Sequence, residues 1–356
     1  MSTSILIAGG YGVVGTEIAR LLRKLYPDTF LWLAGRTPQK AAALADELGQ
    51  AEGLLLDLQA RHLTLPPHVK PDVVVSAVTD EKHLLLETAL QEGWAYVDFA
   101  TSGQHLKDAI WMTLQADSPG PIAFVSNWTA GVPSVFAKAL AEEMESVESV
   151  ALDILYYGND RGGPDTAGAV EEFAAPFLAW RNNQWVTLKP LREGKRVHFP
   201  SGHEGTTYLI NLPDLTSLVQ ATKASSVHVR LGLDAPVTNV LSSLLVRSRV
   251  WDVLPHSVRK SLLYNPGEGA PHEIVVEVKG IKEGRETTQT ATLLSPQGQA
   301  HLTAIGAVHA VERVLGLDGK APQRAGAVFS EAIGDCERLQ ELLTLEGVQW
   351  TRTESS

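Results

Sequence analysis

A glycine-rich turn near the beginning of the sequence constrains the fold more than any other feature. The turn has the pattern Gly10-x-Gly12-x-x-Gly15 and follows an uninterrupted apolar run from Ile5 to Ala8. Such a run is typical of a parallel strand that is buried on both faces. Apolar residues at helical spacing follow the turn, at Ile18, Leu21, Leu22 and Leu25. The order of strand, glycine turn and helix predicts the start of a doubly wound parallel sheet.

The same turn has the chemistry of a phosphate-binding site. Backbone N–H groups and the positive end of the helix dipole meet there. Glycine permits the tight turn, the close approach of the backbone to a pyrophosphate, and the close packing of helix on strand. We therefore predict a dinucleotide site; the alternative is an ordinary tight turn. The predicted contacts are Gly10, Tyr11, Gly12, Val13, Val14 and Gly15.

The end of the second predicted strand, residues 29–34, indicates which dinucleotide binds. A carboxylate at this place would bind the ribose hydroxyls of NAD. The sequence has Arg36 instead, followed by Thr37 and Lys40. Because a guanidinium binds phosphate oxygens through two parallel charge-assisted hydrogen bonds, the pattern favours NADP(H) over NAD(H). The alternative is that Arg36 is a solvated surface charge.

Four more short apolar segments continue the alternation of strands and helices that is typical of a doubly wound parallel sheet. They cover residues 53–57, 71–78, 95–98 and 121–126. Asp57, at the end of the third strand, is predicted to reach the adenine. Small residues at the end of the fourth strand leave room for the nicotinamide at the carboxyl edge of the sheet. These residues are Ser76, Ala77 and Val78.

Length and composition exclude several classes of protein. At 356 residues, the chain is too long for one ordinary core. A net charge of −11 argues against a nucleic-acid or anionic-membrane partner. The single cysteine, Cys336, excludes an intrachain disulfide and fits a reducing compartment. With no signal region and no apolar run of about 20 residues, we expect a cytoplasmic protein without integral membrane association.

The pattern changes after residue 146 and predicts a second, α+β domain with a mostly antiparallel sheet. Two alternating segments, 273–281 and 286–294, are joined by a short glycine-containing loop, which predicts a hairpin. We expect a helix over 171–181, a further helix over 329–343 and a frayed end over 351–356. The predicted domains are a dinucleotide-binding domain, a substrate and dimerisation domain, and C-terminal helices that return to the first domain. Their limits are 1–146, 147–300 and 301–350.

With these motifs in place, the chain resembles the saccharopine dehydrogenase-like family, particularly its saccharopine reductase and carboxynorspermidine dehydrogenase types. The resemblance spans most of the chain and is motif-specific in the first hundred residues. It implies a Rossmann domain, a nicotinamide cofactor, and reduction of a C=N bond or oxidation of the secondary amine. The matching segments include Gly9–Gly15, Ala34–Thr37, Val74–Ala77, Gly93–Asp98, Ala130–Pro133 and Val229–Asp234.

The chain departs from the family after the sixth strand. Family members commonly have a proline-glycine pair there, whereas this sequence has Trp128 in the segment 126–134. The resemblance places this loop beside the substrate, so the bulky Trp128 stands against a large dicarboxylate. Few arginines are available to bind a substrate carboxylate. The candidates in the second domain are Arg181, Arg192, Arg196 and Arg230.

Two segments supply candidates for proton transfer. Asp98 ends the fifth strand, where the resemblance places nicotinamide and substrate, with Thr101 and Ser102 beyond it; a turn cap is an equally open interpretation of Asp98. In the second domain, His203 and Tyr208 lie in a glycine-bounded loop and have the chemistry of proton donors. The alternative for His203 is an ordinary surface loop. The histidines lack metal-site spacing, so we expect no metal.

The sequence thus favours an NADP(H)-dependent oxidoreductase that acts on a C=N bond of a small amine or amino-acid-derived imine, and we expect a homodimer. One alternative is a dinucleotide-binding redox sensor or assembly protein without turnover. Another is a reductase of an activated C=C or C=O bond. The apolar and basic segment 237–263 has three open interpretations: a lid, a dimer contact, or a helical pair packed on the second sheet.

Overall fold

Two seven-stranded sheets organise the chain, one in each of two units. The first unit consists of Met1–Ala130 and Thr303–Leu339, and the second of Gly131–Leu302 and Gln340–Ser356. The predicted domain limits given above stay predictions. The structure, a computed structural model, describes residues 3–116, 120–161, 174–255, 257–259 and 267–356.

The elements follow one another along the chain in three groups. The first group alternates strands and helices: β1 (Ser4–Ala8), α1 (Val13–Leu25), β2 (Phe30–Gly35), α2 (Pro38–Leu48), β3 (Ala51–Leu55), β4 (Val73–Ser76), α3 (Leu84–Glu92), β5 (Ala95–Asp98), α4 (Gly103–Gln115) and β6 (Pro121–Phe124). The second group is richer in strands: α5 (Val132–Ala141), β7 (Ser146–Tyr156), β8 (Phe177–Arg181), β9 (Gln184–Leu188), β10 (Lys195–His198), β11 (Glu204–Leu209), α6 (Asp214–Thr222), β12 (Ser226–Leu233), α7 (Pro236–Arg247), α8 (Val250–Val253), β13 (His272–Lys282) and β14 (Arg285–Ser295). The third group is α9 (Gln299–Leu315), β15 (Gly326–Phe329), α10 (Ser330–Ile333), α11 (Cys336–Leu345) and β16 (Gln349–Ser355).

The first sheet has the strand order β15-β6-β5-β4-β1-β2-β3. All of these neighbouring strands are parallel, which confirms the predicted doubly wound sheet. Ile5, Leu6 and Ile7 of β1 are fully buried, as expected for a strand covered on both faces. Because the strands are parallel, their carboxyl ends lie at the same edge of the sheet.

A buried carboxylate holds the later helices of the first unit to its beginning. Glu312 of α9 is fully buried and accepts a hydrogen bond of 2.6 Å from the Tyr26 hydroxyl. The guanidinium of Arg338 in α11 donates two more, of 2.9 and 2.8 Å. His309 lies close by, with Nδ1 4.0 Å from the carboxylate. The contact with Tyr26 joins positions that lie 286 residues apart in sequence, so it has no local sequence signal.

The second sheet is mixed, in the order β10-β11-β12-β7-β13-β14-β16. Strands β12 and β7 are parallel, and the other neighbours are antiparallel, which confirms the predicted second α+β sheet. The predicted hairpin is β13–β14, which turns through Glu283 and Gly284, with φ of 51° and 71°.

Three segments differ from the sequence-based expectations. The predicted frayed end forms β16, which pairs with β14 as a polar edge strand. In the predicted helix 171–181, Phe177–Arg181 is instead a strand that turns back through Asn182 and Asn183, whereas residues 171–173 lie outside the described residues. The predicted helix 329–343 is divided: β15 joins the first sheet, and Gly334 separates α10 from α11.

Helix α7 contacts the second sheet through polar rather than apolar residues. Asn239 donates a hydrogen bond of 2.6 Å to the Thr206 carbonyl, and the Ser243 hydroxyl donates one of 2.9 Å to the Leu191 carbonyl. Several apolar residues of this segment are exposed instead: Val237, Val240, Leu241, Leu244, Val250, Val253 and Val258. Of the segment 237–263, residues 256 and 260–263 lie outside the described residues.

Candidate functional site

The predicted cofactor residues of the first unit come together at the carboxyl edge of its sheet. The glycine turn follows β1, and Arg36 follows β2. The segment 76–78 follows β4, and Asp98 ends β5. In open α/β sheets, ligands bind beyond this edge, where the strand order reverses. Here the reversal lies between β1 and β4, beside the glycine turn.

The glycine turn is held against β2 by its own backbone. The N–H groups of Gly9 and Gly10 both donate to the carbonyl of Ala34, at 2.8 and 3.2 Å. Gly9 has a φ of +81°, and a Cβ atom there would lie 2.5 Å from Cγ1 of Val78. Gly9 is therefore the residue of the turn that needs a left-handed backbone. The predicted glycine pattern starts at Gly10 and therefore does not include Gly9, although the pair Gly9-Gly10 is visible in the sequence.

The two later glycines let the start of α1 pack closely against the turn. A Cβ atom on Gly12 would lie 3.1 Å from the Gly9 carbonyl oxygen, and one on Gly15 would overlap that same oxygen. Helix α1 begins at Val13, and its first N–H groups have no acceptor within the helix. Its first turn carries no acidic residue. This end of the helix therefore has free donors and an uncompensated positive dipole for an anion.

Tyr11 links the glycine turn to the end of β2. Its hydroxyl accepts a hydrogen bond of 2.8 Å from the backbone N–H of Thr37. Its ring lies against Gly35, where a Cβ atom would be 2.8 Å from the Tyr11 hydroxyl oxygen. Gly35 is thus required for this contact. The Thr37 N–H is occupied by Tyr11, so the proposed ligand contact of Thr37 would use its hydroxyl.

Arg36 and Lys40 are exposed beside the start of α2. Within the described ranges, neither side chain makes a hydrogen bond or an ion pair. The first turn of α2 has no acidic residue, and its N-cap residue, Thr37, makes no capping bond with its side chain. Two cations and a helix N-terminus therefore face solvent without a counter-charge. Asp57 is exposed beyond β3, and its Oδ1 accepts a hydrogen bond of 2.9 Å from the Gln59 N–H.

The segment after β4 is packed closely against the glycine turn. The N–H of Ala77 donates to the Ala8 carbonyl at 3.0 Å, and the buried Ser76 hydroxyl donates to the Val78 carbonyl at 3.1 Å. Val78 is half-buried and contacts Gly9. The segment is thereby fixed at the edge of the sheet.

The Asp98 carboxylate has the contacts of a turn cap. Its Oδ1 accepts the N–H groups of Ala100 and Thr101, both at 2.9 Å. Its Oδ2 accepts the hydroxyls of Thr101, at 2.7 Å, and of Tyr96, at 3.2 Å. Only 2% of Asp98 is exposed, and burial raises its pKa although these hydrogen bonds oppose the shift. Of the two open interpretations, these contacts support the cap. Ser102 is exposed and begins α4 without a capping bond from its side chain.

The loop that contains Trp128 has an unusual backbone. Thr129 and Ala130 have φ of 48° and 51°, in the left-handed region that residues with a Cβ atom seldom adopt. Thr129 is β-branched and buried, and its hydroxyl has no hydrogen-bond partner within the described ranges. The buried side-chain amide of Asn127 fixes the start of the loop, because its Nδ2 donates a hydrogen bond of 2.9 Å to Oε1 of Glu331. Trp128 is half-buried in this turn.

His203 and Tyr208 lie in the second unit, whereas Asp98 lies in the first. The His203 ring packs beside Phe199 and Tyr157, with centroids 6.4 and 6.5 Å away. Its Nε2 is buried and has no hydrogen-bond partner in the described part of the chain. Tyr208 is half-buried on β11, opposite Leu231 of β12. Among the described residues, no hydrogen bond joins the side chains of His203 and Tyr208.

Arg230, a candidate for substrate binding, lies in a partly buried cluster of charges. Its Nη1 is 3.7 Å from Oδ1 of Asp153, a fully buried carboxylate of β7. Lys195 of β10 is 2.8 Å from the other oxygen of Asp153. The sequence analysis missed Asp153 and Lys195. An aspartate inside the apolar run of β7 was the one available signal for this cluster.

The described residues contain no group of three or more His, Cys, Asp or Glu side chains arranged to hold a metal ion. Among the same residues, no helix has both the length and the apolar content to cross a membrane.

Comparisons with known proteins give a likeness in structure only. No protein-family model matches the sequence, and no curated protein matches it. Among solved structures, the saccharopine dehydrogenase (L-Glu forming) of Saccharomyces cerevisiae is similar over 100% of both chains, with a TM-score of 0.70 and 14% sequence identity.

Two other solved structures are similar at lower scores. The amine dehydrogenase of Mycobacterium smegmatis has a TM-score of 0.48 and 12% identity, over 94% of this chain and 96% of that one. The DAP dehydrogenase of C. glutamicum has a TM-score of 0.47 and 14% identity, over 97% and 99%. Scores below 0.5 support no conclusion about this chain. The full-length likeness at 0.70 confirms the predicted resemblance at the level of the fold: the chain has the fold of a saccharopine dehydrogenase.

Proposed function

We propose that the protein is an NADP(H)-dependent oxidoreductase that reduces the C=N bond of a small amine or amino-acid-derived imine, or oxidises the corresponding amine. The observation that carries the proposal is the edge of the first sheet. An open glycine turn, the start of α1 and an unpaired Arg36 lie there together. The fold shared with a saccharopine dehydrogenase supports the same reaction class. A cytoplasmic homodimer is part of the proposal.

The residues at this edge fit a dinucleotide phosphate. Gly12 is exposed, Gly15 lets α1 pack closely on the turn, and the N–H groups of Val13 and Val14 lie at the first turn of α1. The pyrophosphate would bind there. Arg36 would hold the 2′-phosphate with Thr37 and Lys40 beside it, and the segment 76–78 would flank the nicotinamide. No carboxylate stands at the end of β2 to repel that phosphate or to bind the ribose of NAD.

A bound nicotinamide would supply or accept the hydride. The protein therefore has to position the C=N carbon and to transfer one proton to or from the nitrogen. For this proton we propose Tyr208 and His203 of the second unit, and for Asp98 of the first unit we propose a positioning role. Asp98 would act by holding the turn with Thr101 in place, because both of its oxygens already accept hydrogen bonds. Ser102 and Trp128 are proposed to line the substrate site.

The first test is a titration of the purified protein with NADPH and with NADH. We expect wild type to bind NADPH more tightly. Arg36→Ala removes charge-assisted hydrogen bonds of about 1.5–3 kcal/mol, so NADPH should bind roughly 10- to 100-fold more weakly while NADH binding changes little. Arg20→Ala is the matched control, because Arg20 is an exposed arginine of the same unit that pairs with Glu47. Equal affinity of wild type for the two nucleotides would contradict the assignment of Arg36.

One observation favours the second candidate, a dinucleotide-binding protein without turnover. In the first unit, the Asp98 carboxylate and the Thr101 hydroxyl are bonded to each other, which leaves neither free as an acid–base group. A screen of imines and amines with the preferred nucleotide separates the two functions. Turnover that is lost in Tyr208→Phe supports the enzyme. Tight nucleotide binding without turnover of any imine, C=C or C=O substrate supports the sensor.

A further inference from the structure

Helix α7, in the second unit, turns its polar side inward. Asn239 and Ser243 lie one helical turn apart and are only 7% and 3% exposed, because both side chains bond to backbone carbonyls of the same unit. A surface helix normally turns its apolar stripe toward the core. On α7, the apolar stripe lies on the other side, and we call it the α7 face. It consists of Val237, Val240, Leu241 and Leu244.

The α7 face is exposed to solvent at every position. Val237 is 72% exposed, Val240 49%, and Leu241 and Leu244 53% each. Among the described residues, seven of the fourteen exposed large apolar side chains lie between positions 237 and 258. Apolar side chains scattered singly over a surface are normal, whereas a contiguous apolar patch of this kind marks an interaction site. The α7 face therefore indicates a partner.

The spacing of the α7 face is symmetric about the midpoint between Val240 and Leu241. Val237 precedes Val240 by three residues, and Leu244 follows Leu241 by three. At 1.5 Å per residue, Val237 and Leu244 each lie about 5 Å from this midpoint. A two-fold axis perpendicular to the helix at the midpoint therefore places Val237 of one copy opposite Leu244 of an antiparallel second copy. Two identical surfaces that are complementary in this way form an isologous interface.

Charges at the two ends of α7 favour the same antiparallel pairing. Arg247 is the last residue of the helix, is exposed, and makes no hydrogen bond or ion pair within the described ranges. Asp234 lies two residues before the first turn, where its Oδ1 accepts the Gly158 N–H at 3.0 Å. The two-fold axis brings Arg247 of each copy to the end that carries Asp234 of the other. In a parallel pair, the two Arg247 side chains would instead repel each other.

We propose that the α7 face binds the α7 face of a second copy of this chain, as an antiparallel helix pair around a two-fold axis. An anionic lipid surface fits less well, because the chain has a net charge of −11 and carries Asp234 beside the face. A helix that lies in such a surface also has basic residues along its polar side, whereas the polar side of α7 is bonded to its own unit. The proposal assigns an interface to the homodimer of the proposed function, on which it rests, and is independent of the proposed reaction.

The first test is sedimentation of the full-length protein over a range of concentrations, without nucleotide. We expect wild type to form a dimer whose fraction rises with concentration. Leu241→Glu places two carboxylates beside the two-fold axis inside an apolar contact, so the dissociation constant of the dimer should rise at least about 100-fold. Leu114→Glu is the matched control, because Leu114 lies on α4 of the first unit and is 66% exposed, so the same charge there should leave the dimer unchanged. Circular dichroism shows whether each variant is folded.

Disulfide crosslinking then tests the register of the pair. Cys336 is the only cysteine of the chain, so Cys336→Ser provides a background without thiols. In this background, oxidation of the double variant Val237→Cys/Leu244→Cys should join two chains, because these positions face each other across the proposed interface. Neither single variant should crosslink, since each position lies about 10 Å along the helix from its own counterpart, beyond the reach of a disulfide.

Four results would overturn the proposal. Wild type that stays monomeric throughout, or a folded Leu241→Glu variant that dimerises as wild type does, excludes the interface. Crosslinking of Val237→Cys alone, or none in the double variant, excludes the antiparallel pairing. If a monomeric wild type binds vesicles of anionic lipid and Leu241→Glu does not, the α7 face is a lipid contact instead.

The same measurements separate this interface from the proposed function. A dimer that survives Leu241→Glu refutes the α7 interface and leaves the homodimer standing. Because sedimentation and crosslinking are made without nucleotide, failure of NADPH to bind would refute the proposed reaction and leave both results intact.

Discussion

Gly15 gives the most direct test of the geometry of the nucleotide turn. In Gly15→Ala, the new methyl group would overlap the carbonyl oxygen of Gly9 and lie 2.9 Å from its carbonyl carbon and 3.0 Å from Cα of Gly10. Ordinary contact begins at 3.4 Å. The neighbours are backbone atoms, which cannot move aside as the end of a flexible side chain can. The turn therefore has to move away from α1.

The loss of stability in Gly15→Ala can be estimated from the contacts that this movement of the turn disturbs. Overpacking of a buried site costs about 1–3 kcal/mol. The displaced Gly9 and Gly10 also strain their hydrogen bonds to the Ala34 carbonyl, each worth about 1 kcal/mol. Alanine has a helix propensity about 1 kcal/mol better than that of glycine, which opposes these losses. We expect a net destabilisation of roughly 2–4 kcal/mol.

Native-state hydrogen exchange of the amides in β1 and β2 measures this effect where it acts, without contributions from the second unit. Gly12→Ala is the control, because its methyl group would lie 3.1 Å from the same Gly9 oxygen and would need a shift of only a few tenths of an ångström. We expect this variant to lose less than about 1 kcal/mol. If Gly15→Ala costs no more than Gly12→Ala, or is more stable than wild type, the steric reasoning is wrong.

Two further predictions concern buried carboxylates of the first unit. Burial opposes ionisation of Glu312, but its contacts with His309, Arg338 and Tyr26 outweigh burial and lower its pKa from 4.5 to about 2. Its charged form thus adds roughly 3 kcal/mol of stability above pH 4.5, and this is lost as the pH falls from 4.5 to 2. Urea unfolding should show this acid dependence in wild type and a flatter one in Glu312→Gln; equal slopes would contradict the assignment. For Asp98→Asn, the amide cannot accept the hydroxyl bonds at Oδ2, so the midpoint of thermal unfolding should fall by an amount equivalent to about 1–3 kcal/mol. An unchanged midpoint would exclude the cap.

The strands of the first sheet could be predicted because each is a short buried run with its own pattern. Strands β1 to β6 lie within two residues of their predicted limits. Strand β15 could not be predicted, because it joins β6 from about 200 residues further along the chain. The same holds for the hydrogen bond between Glu312 and Tyr26. Periodicity describes local structure and contains no information on such distant partners.

The hairpin β8–β9 was missed for a different reason. Phe173, Phe177 and Trp180 have the spacing of one face of a helix, which led to the prediction of a helix over 171–181. In the structure, Trp180 packs instead against Trp185 across the hairpin, with ring centroids 5.0 Å apart. The pair Asn182-Asn183 adopts the left-handed backbone that two-residue hairpin turns require. The turn preference of Asn182-Asn183 here outweighs the helical spacing of the three aromatic residues.

The candidate site was predicted in part. The glycine turn and Arg36 have local patterns with a clear physical meaning, and the structure brings them to one edge. The bond between Tyr11 and Thr37 joins two separate loops, so neither loop alone reveals it. The contacts of Asp153 with Lys195 and Arg230 similarly depend on the sheet order β10-β11-β12-β7. Only Asp153, a charge within an apolar strand, was visible as an anomaly.

The strand order of the two sheets has a consequence for biosynthesis. The first unit needs β15, which is made after nearly all of the second unit, and the second sheet needs β16, which is made after β15. On the ribosome, the first sheet therefore stays incomplete until β15 has emerged, and the second sheet stays incomplete until β16 has emerged. The incomplete sheets expose β6 and β14 as open edges for that period. For the same reason, no single cut divides the gene into two parts that each encode a whole unit.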